Sequence, residues 1–89
     1  MIATDKRACL VVGAGDATGA AIARAFAREG LVACVSRRPR HAEALEGLAA
    51  SIRAVGHDAF ALPADARDED SIIALFDATE REIAPLAVV

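Results

Sequence analysis

The chain has 89 residues, which limits it to a single domain. Its residues are 55% hydrophobic but only 3% aromatic, so any core must be built from aliphatic side chains. The net charge of −3 argues against a protein that binds the phosphates of nucleic acids, because such proteins carry a basic face.

The lead segment, residues 1–7, is largely polar, and the apolar run behind it is short. That run is too short for the core of a signal peptide or for a membrane span. The sequence therefore predicts a soluble cytoplasmic protein with no membrane association.

The strongest pattern is an apolar strand that leads directly into a glycine cluster and a helix. Ala8–Val12 is a continuous apolar run, typical of a strand that is buried on both faces. Gly13, Gly15 and Gly19 follow it, and a helix is predicted over Ala17–Glu29. A strand, glycine turn and helix in this order hold the pyrophosphate of a dinucleotide. Glycine lets the backbone approach the phosphates, and the start of the helix offers free N–H groups.

The remaining elements alternate between strand and helix patterns. A second strand is predicted over Leu31–Val35, a second helix from Pro39 to a stop at Gly56, and a third strand over Ala59–Leu62. A fourth strand opens over Leu86–Val89.

Apolar spacing predicts one buried face on each helix. The predicted faces are Ala21, Ile22, Ala25 and Phe26 on the first helix, Leu45, Leu48, Ala49 and Ile52 on the second, and Ile72, Phe76, Thr79 and Ile83 on the third. Asp68, Glu69 and Asp70 suit the start of the third helix, where negative charge is favourable, and Pro85 ends it.

Alternating strands and helices predict an α/β fold with a parallel sheet. Right-handed crossovers place the first two helices on one face and the third on the other, with strand order 3-2-1-4. This is a partial Rossmann, doubly wound fold of three to four strands and three helices. One face then carries a single helix and the fourth strand is an open edge, so self-association or a missing C-terminal half is expected to cover them.

The cysteines and histidines do not form a recognisable metal-binding or catalytic motif in the sequence. Cys9 and Cys34 lie in apolar strands and are predicted to be buried thiols, with no metal spacing around them. His41 and His57 have no nucleophile nearby in the sequence and are predicted to be surface residues.

With these motifs in place, the chain from Ala8 to Val89 resembles the N-terminal part of a short-chain dehydrogenase/reductase. The family's first turn resembles Thr-Gly-x-x-x-Gly-x-Gly, and here Val12, Gly13, Ala17 and Gly19 occupy those positions. The resemblance implies that residues 1–89 are the NAD(P)-binding half of a Rossmann domain that ends before the catalytic half.

The glycine turn departs from the family pattern at two positions. Ala17 replaces the middle glycine and adds a methyl group near the pyrophosphate, for which Gly15 compensates in this interpretation. Asp16 is also unusual, since its charge either repels a phosphate or caps the helix, and the cap is the favoured interpretation. With Gly13, Thr18 and Gly19, these residues form the candidate pyrophosphate-binding turn.

Ser36, Arg37 and Arg38 follow the second strand, where an NAD-selective site carries an acid for the ribose 2′-hydroxyl. No acid is present, and two guanidinium groups suit a 2′-phosphate. NADP is therefore the predicted cofactor, with NAD less favoured. A solvated basic loop is the alternative.

A second segment that resembles the family follows the third strand. Around Asp65 and Ala66, the sequence is similar to the family's adenine-binding segment. The resemblance implies that the Asp65 carboxylate accepts a hydrogen bond from the adenine amino group. The alternative is a loop acid near a helix start, although Asp68 fits the helix cap better.

The chain contains no Tyr, so the family's catalytic Tyr cannot be supplied from it, and no catalytic residue is predicted. The favoured hypothesis is the NADP(H)-binding portion of an oxidoreductase that transfers hydride between the cofactor and an alcohol or carbonyl substrate. The alternatives are a non-catalytic nucleotide-binding or interaction module and a vestigial fragment.

Overall fold

The structure is a computed structural model that describes residues 6–13 and 17–88. Strands and helices alternate along these residues. In chain order they are β1 (Ala8–Val12), α1 (Ala17–Arg28), β2 (Val32–Ser36), a 3-10 turn (Pro39–His41), α2 (Ala42–Ala54), β3 (Ala59–Ala61), α3 (Glu69–Glu82) and β4 (Leu86–Val88).

The four strands form one parallel sheet in the order β3-β2-β1-β4, which confirms the predicted topology. β1 pairs with β2 in register from Ala8 opposite Val32 to Val12 opposite Ser36. β2 and β3 lie on one side of β1, and β4 lies on its other side. The strand order therefore reverses at β1. Open α/β sheets bind ligands at such a reversal, outside the carboxyl ends of the strands.

Each face of the sheet carries its own core cluster. The first packs α1 and α2 against one face through residues that include Cys9, Val35 and Leu45. The second packs α3 against the other through residues that include Leu10 and Leu75. The prediction that the first two helices share one face and the third covers the other is confirmed.

The predicted buried face of α1 is wrong. Gly19, Ala23 and Ala27 are the buried residues of this helix, whereas Ile22 is 44% exposed. Of the predicted residues, Ala21 and Ala25 are exposed and Phe26 is half-buried. The sheet accepts the smallest side chains of the helix because they let the backbone of α1 approach β1 and β2 closely.

The buried residues of α2 and α3 agree better with the predicted faces. On α2, Leu45, Ala49 and Ile52 are buried and Leu48 packs beside them. On α3, Thr79 is buried as predicted and donates its hydroxyl hydrogen to the Leu75 carbonyl at 2.8 Å. The predicted Ile72, Phe76 and Ile83 pack at the edge of the cluster, and Leu75 occupies its centre.

The start of α3 has the predicted cap. The Asp68 carboxylate accepts a hydrogen bond from the Asp70 backbone N–H at 3.2 Å. An Asp in this position satisfies one of the N–H groups that a helix start leaves without an intrahelical partner. The cap fixes where the segment after β3 turns into the helix.

Both cysteines are buried free thiols, as predicted. Their side chains belong to the clusters on opposite faces of the sheet, which separates them. Burial raises the pKa of the Cys9 thiol, and burial together with the nearby Cys9 raises that of Cys34 to about 12.

We therefore expect both thiols to resist alkylation in the folded protein. The thiolate is the reactive form, and a raised pKa makes it scarce at neutral pH. Labelling with iodoacetamide, followed by mass spectrometry, is expected to be slow in buffer and complete in urea. Rapid modification in buffer would contradict this placement of the strands.

Among the residues described, no helix has the length and apolar character needed to cross a membrane. In the same part of the chain, no three potential metal ligands come together.

Candidate nucleotide-binding site

Three segments meet at one edge of the sheet because β1, β2 and β3 are parallel and end there. Together they line a cavity of about 180 Å³. Its lining residues are Val12, Gly13, Arg37, Arg38, His41, Ala64 and Ala66. Four of the ten predicted site residues, Gly13, Arg37, Arg38 and Ala66, therefore share one cavity.

Backbone hydrogen bonds hold these three segments in place. The Gly13 N–H donates to the Ser36 carbonyl at 2.9 Å, and the Ala64 N–H donates to the Arg37 carbonyl at 2.9 Å. These bonds extend the strand pairing by one step beyond the strands. The positions of the glycine turn, the arginine segment and the loop after β3 are thereby fixed relative to one another.

Gly13 has the backbone conformation that a tight turn after β1 requires. Its φ is +81°, in the left-handed region, and a Cβ added there would meet no heavy atom of the described residues within 4 Å, its two chain neighbours aside. Gly13 lines the cavity. A ligand can therefore approach this backbone closely, as a pyrophosphate does in a glycine turn.

Replacing Gly13 with alanine tests this conformation. A non-glycine residue in the left-handed region costs about 1–2 kcal/mol, so Gly13→Ala is expected to lower the free energy of unfolding by that amount. Urea denaturation measures the loss. Gly47→Ala is the control, since Gly47 lies within α2, where alanine is favoured by about 1 kcal/mol. Equal effects of the two substitutions would contradict a strained turn.

The start of α1 points its first turn to the same edge. Thr18 is exposed there and Gly19 is buried against the sheet. The positive end of the helix dipole lies at this first turn and favours an anion. The predicted site residues Gly15 and Asp16 lie outside the described residues.

Arg37 and Arg38 bring two positive charges to the cavity. Within residues 6–13 and 17–88, neither guanidinium forms an ion pair. Their charges are therefore available to a ligand. Among the described residues that line the cavity, none carries a carboxylate that could accept from a ribose hydroxyl.

Ser36 supports the site through its backbone. Its side chain is fully buried, it does not line the cavity, and its Oγ finds no hydrogen-bond partner among the described residues. Its carbonyl instead receives the Gly13 N–H. The structure thus separates Ser36 from the two arginines with which the sequence grouped it.

Asp65 lies in the loop after β3, but its carboxylate is engaged locally. Oδ1 accepts the Arg67 backbone N–H at 3.0 Å and the Arg67 Nε–H at 3.3 Å. The backbone hydrogen bond from Arg67, assisted by the nearby guanidinium groups, lowers the pKa of Asp65. The neighbouring Ala66 lines the cavity and Asp65 itself does not.

His41 was predicted to be a surface residue without a role, and the structure places it in the cavity wall. The 3-10 turn that precedes α2 brings it there, with its N–H donating to the Arg38 carbonyl at 2.9 Å. In the sequence, only Pro39 indicated a change of backbone direction here. It was interpreted as the start of an α-helix, and that interpretation did not place His41 beside Arg37 and Arg38.

A larger cavity of about 360 Å³ lies at the opposite edge of the sheet, between α1 and α2. It is lined by Arg24, Arg28, Ser51, Ile52, Val55 and His57. Both helices end beside it, so their C-terminal carbonyl groups disfavour an anion there. It lacks the glycine turn and the helix start that a pyrophosphate requires.

The chain belongs to the short chain dehydrogenase family, whose pattern it matches over residues 7–89. This match confirms the family predicted from the sequence.

Among curated proteins, the chain is similar to 2,3-dihydro-2,3-dihydroxybenzoate dehydrogenase of Bacillus subtilis (strain 168), with 34% identity over 85 residues. That alignment covers 94% of this chain and 31% of the relative. The chain thus spans about a third of the length of the curated relatives it matches.

Two solved structures extend the likeness to three dimensions. A variant of actinorhodin polyketide ketoreductase with NADPH matches with a TM-score of 0.84 and 31% identity, over 97% of this chain and 32% of the other. A metagenomic short-chain oxidoreductase in complex with NADP matches with a TM-score of 0.75 and 29% identity, over 82% of this chain and 32% of the other. Both relatives hold the phosphorylated form of the cofactor.

Proposed function

We propose that this chain is the NADP(H)-binding portion of a short-chain dehydrogenase, and that the cavity at the carboxyl ends of β1, β2 and β3 holds the adenosine half of the cofactor. The observation that carries the proposal is that Arg37 and Arg38, which form no ion pair among the described residues, lie on the wall of a cavity that Gly13 also lines. Two relatives of this fold hold NADP or NADPH.

Different residues are proposed to contact the pyrophosphate, the 2′-phosphate and the adenine of the cofactor. Gly13 and the first turn of α1, with Thr18 and Gly19, face the pyrophosphate; Gly15 and Asp16 are proposed for the same turn. Arg37 and Arg38 bind the 2′-phosphate through charge-assisted hydrogen bonds. Ala66 packs beside the adenine, and Asp65 reaches its amino group if the Arg67 contact opens.

When bound, NADPH supplies hydride to a carbonyl carbon. The residues of this chain would bind and orient the adenosine half, with Arg37 and Arg38 at the 2′-phosphate and Gly13 at the pyrophosphate. The proposed activity of the whole protein is hydride transfer between NADP(H) and an alcohol or carbonyl substrate.

The experiment is a calorimetric titration of the purified protein with NADP+, NAD+ and adenosine 2′,5′-bisphosphate. The bisphosphate contains only the groups assigned to this cavity. Saturable binding of NADP+ and of the bisphosphate, with weaker binding of NAD+, is the expected result. Tighter binding of NAD+ would overturn the assignment of the two arginines, and no binding of any ligand would overturn the proposed function.

We also propose that the protein self-associates through apolar surface. Within residues 6–13 and 17–88, four large apolar side chains are exposed, namely Val12 at 37%, Ile22 at 44%, Val55 at 71% and Ile73 at 58%. Strand β4 also forms an edge of the described sheet. Sedimentation velocity is expected to show a sedimentation coefficient that rises with concentration, and a monomer at every concentration would contradict this prediction.

A further inference from the structure

We propose that His41 is a proton-coupled part of the 2′-phosphate subsite, so that the preference for NADP over NAD weakens as the pH rises. The inference rests on the proposed function and adds the regulation of that site. His41 lines the same cavity as Arg37 and Arg38, on the 3-10 turn directly after them.

The contacts of the imidazole define its state in the free protein. Arg40 donates its Nε–H to the Nε2 atom of His41 at 3.2 Å. With Nε2 as the acceptor, this contact fits the neutral ring that carries its proton on Nδ1. The charges of Arg37, Arg38 and Arg40 act on this ring.

The surroundings explain why the neutral ring is favoured. Desolvation, and then the positive charges of the three neighbouring arginines, lower the pKa of His41 from its ordinary value of 6.5. The other charged groups of its own segment and of the opposite loop are Glu43, Asp65 and Arg67, and the last two are paired with each other. Asp16, next to the glycine turn in the sequence, lies outside the described residues.

A bound phosphate reverses this balance. The 2′-phosphate is a dianion above about pH 6, and its charge offsets the repulsion from the arginines. One proton moves from solvent to Nε2, the Arg40 contact opens, and the new N–H donates to a phosphate oxygen. Binding is therefore accompanied by proton uptake, and NAD+, which lacks this phosphate, takes up none at His41.

Linkage gives the sign and the size of the effect. Between the pKa of His41 in the free protein and its higher pKa in the complex, affinity falls with rising pH by at most about tenfold per unit. Titration of the phosphate acts in the opposite sense, because a site that favours the dianion releases a proton. Net uptake at about pH 7.5 therefore identifies the imidazole.

The test measures proton uptake by calorimetry with adenosine 2′,5′-bisphosphate at about pH 7.5, in buffers of different ionisation enthalpy. Uptake by the wild type that disappears in His41→Gln is expected. Saturable binding with no uptake, or with equal uptake in His41→Gln, would overturn the inference while leaving the proposed function intact. Absence of binding would overturn both.

Proton NMR of the imidazole rings provides a second measurement that needs no variant. The chain has only two histidines, and His57 lines the cavity at the opposite edge of the sheet. The bisphosphate is expected to raise the titration midpoint of the His41 ring and leave that of His57 unchanged. An unmoved His41 midpoint at saturation, or an equal shift of both rings, would overturn the inference.

Discussion

Replacing Arg37 and Arg38 together with alanine is expected to remove most of the preference for NADP+ over NAD+. One charge-assisted hydrogen bond to a phosphate contributes about 1.5–3 kcal/mol, which is a factor of about 10 to 150 in affinity. The double variant removes both guanidinium groups from the cavity, so the loss for NADP+ is expected to reach the upper part of this range. Affinity for NAD+ is expected to change little, since NAD+ has no 2′-phosphate. Calorimetric titration of both cofactors measures the ratio.

A matched control is available at the other edge of the sheet. Arg24 and Arg28 line the cavity between α1 and α2, so replacing both with alanine makes the same change in net charge far from the glycine turn. This variant is expected to keep the preference for NADP+. If the two double variants lose equal affinity, the arginines act only through the overall charge of the protein and the assigned subsite is wrong.

Leu45→Ala is expected to cause the largest loss of stability among single substitutions in α2. Leu45 is 1% exposed and packs in the cluster that joins α1, α2 and the sheet. Truncation of a buried leucine costs about 2–5 kcal/mol, because it removes apolar contact and leaves a cavity. A domain of this length has a total stability of about 4–13 kcal/mol, so the substitution removes a large share of it. Urea denaturation measures the change in the free energy of unfolding.

Leu48 is the natural comparison, because it lies on the same helix and is only partly buried. Leu48→Ala removes the same atoms but exposes a smaller cavity, so its cost is expected to be clearly lower. Equal costs at the two positions would contradict the observed orientation of α2 on the sheet.

The sequence was sufficient for the topology because the apolar runs and the glycine stops are strong local patterns. The run Ala8–Val12 became β1 with both bounds unchanged, and Asp68 caps α3 as predicted. The face of α1 could not be derived in the same way. Ile22 is 44% exposed, because close packing of a helix on a sheet selects Ala23 and Ala27 over bulkier side chains. The hydrophobicity of the residues does not show how closely the helix packs on the sheet.

In the candidate site as well, some features follow from the sequence and others do not. Arg37 and Arg38 directly follow β2, so the parallel sheet places them beside the Gly13 turn, and the sequence alone predicts this proximity. The burial of the Ser36 side chain, the local pairing of Asp65 with Arg67 and the position of His41 depend on the paths of loops. These paths are set by hydrogen bonds between segments distant in sequence, which a pattern along the chain does not contain.

The most direct measurement for the proposed NADP(H) site is a titration of the isotope-labelled protein with NADP+, followed by amide NMR. Saturable shifts are expected at Gly13, Arg37, Arg38 and Ala66, around one cavity, with little change near Arg28 and His57. Shifts confined to the cavity between α1 and α2, or an unchanged spectrum up to millimolar cofactor, would contradict the proposed NADP(H) site.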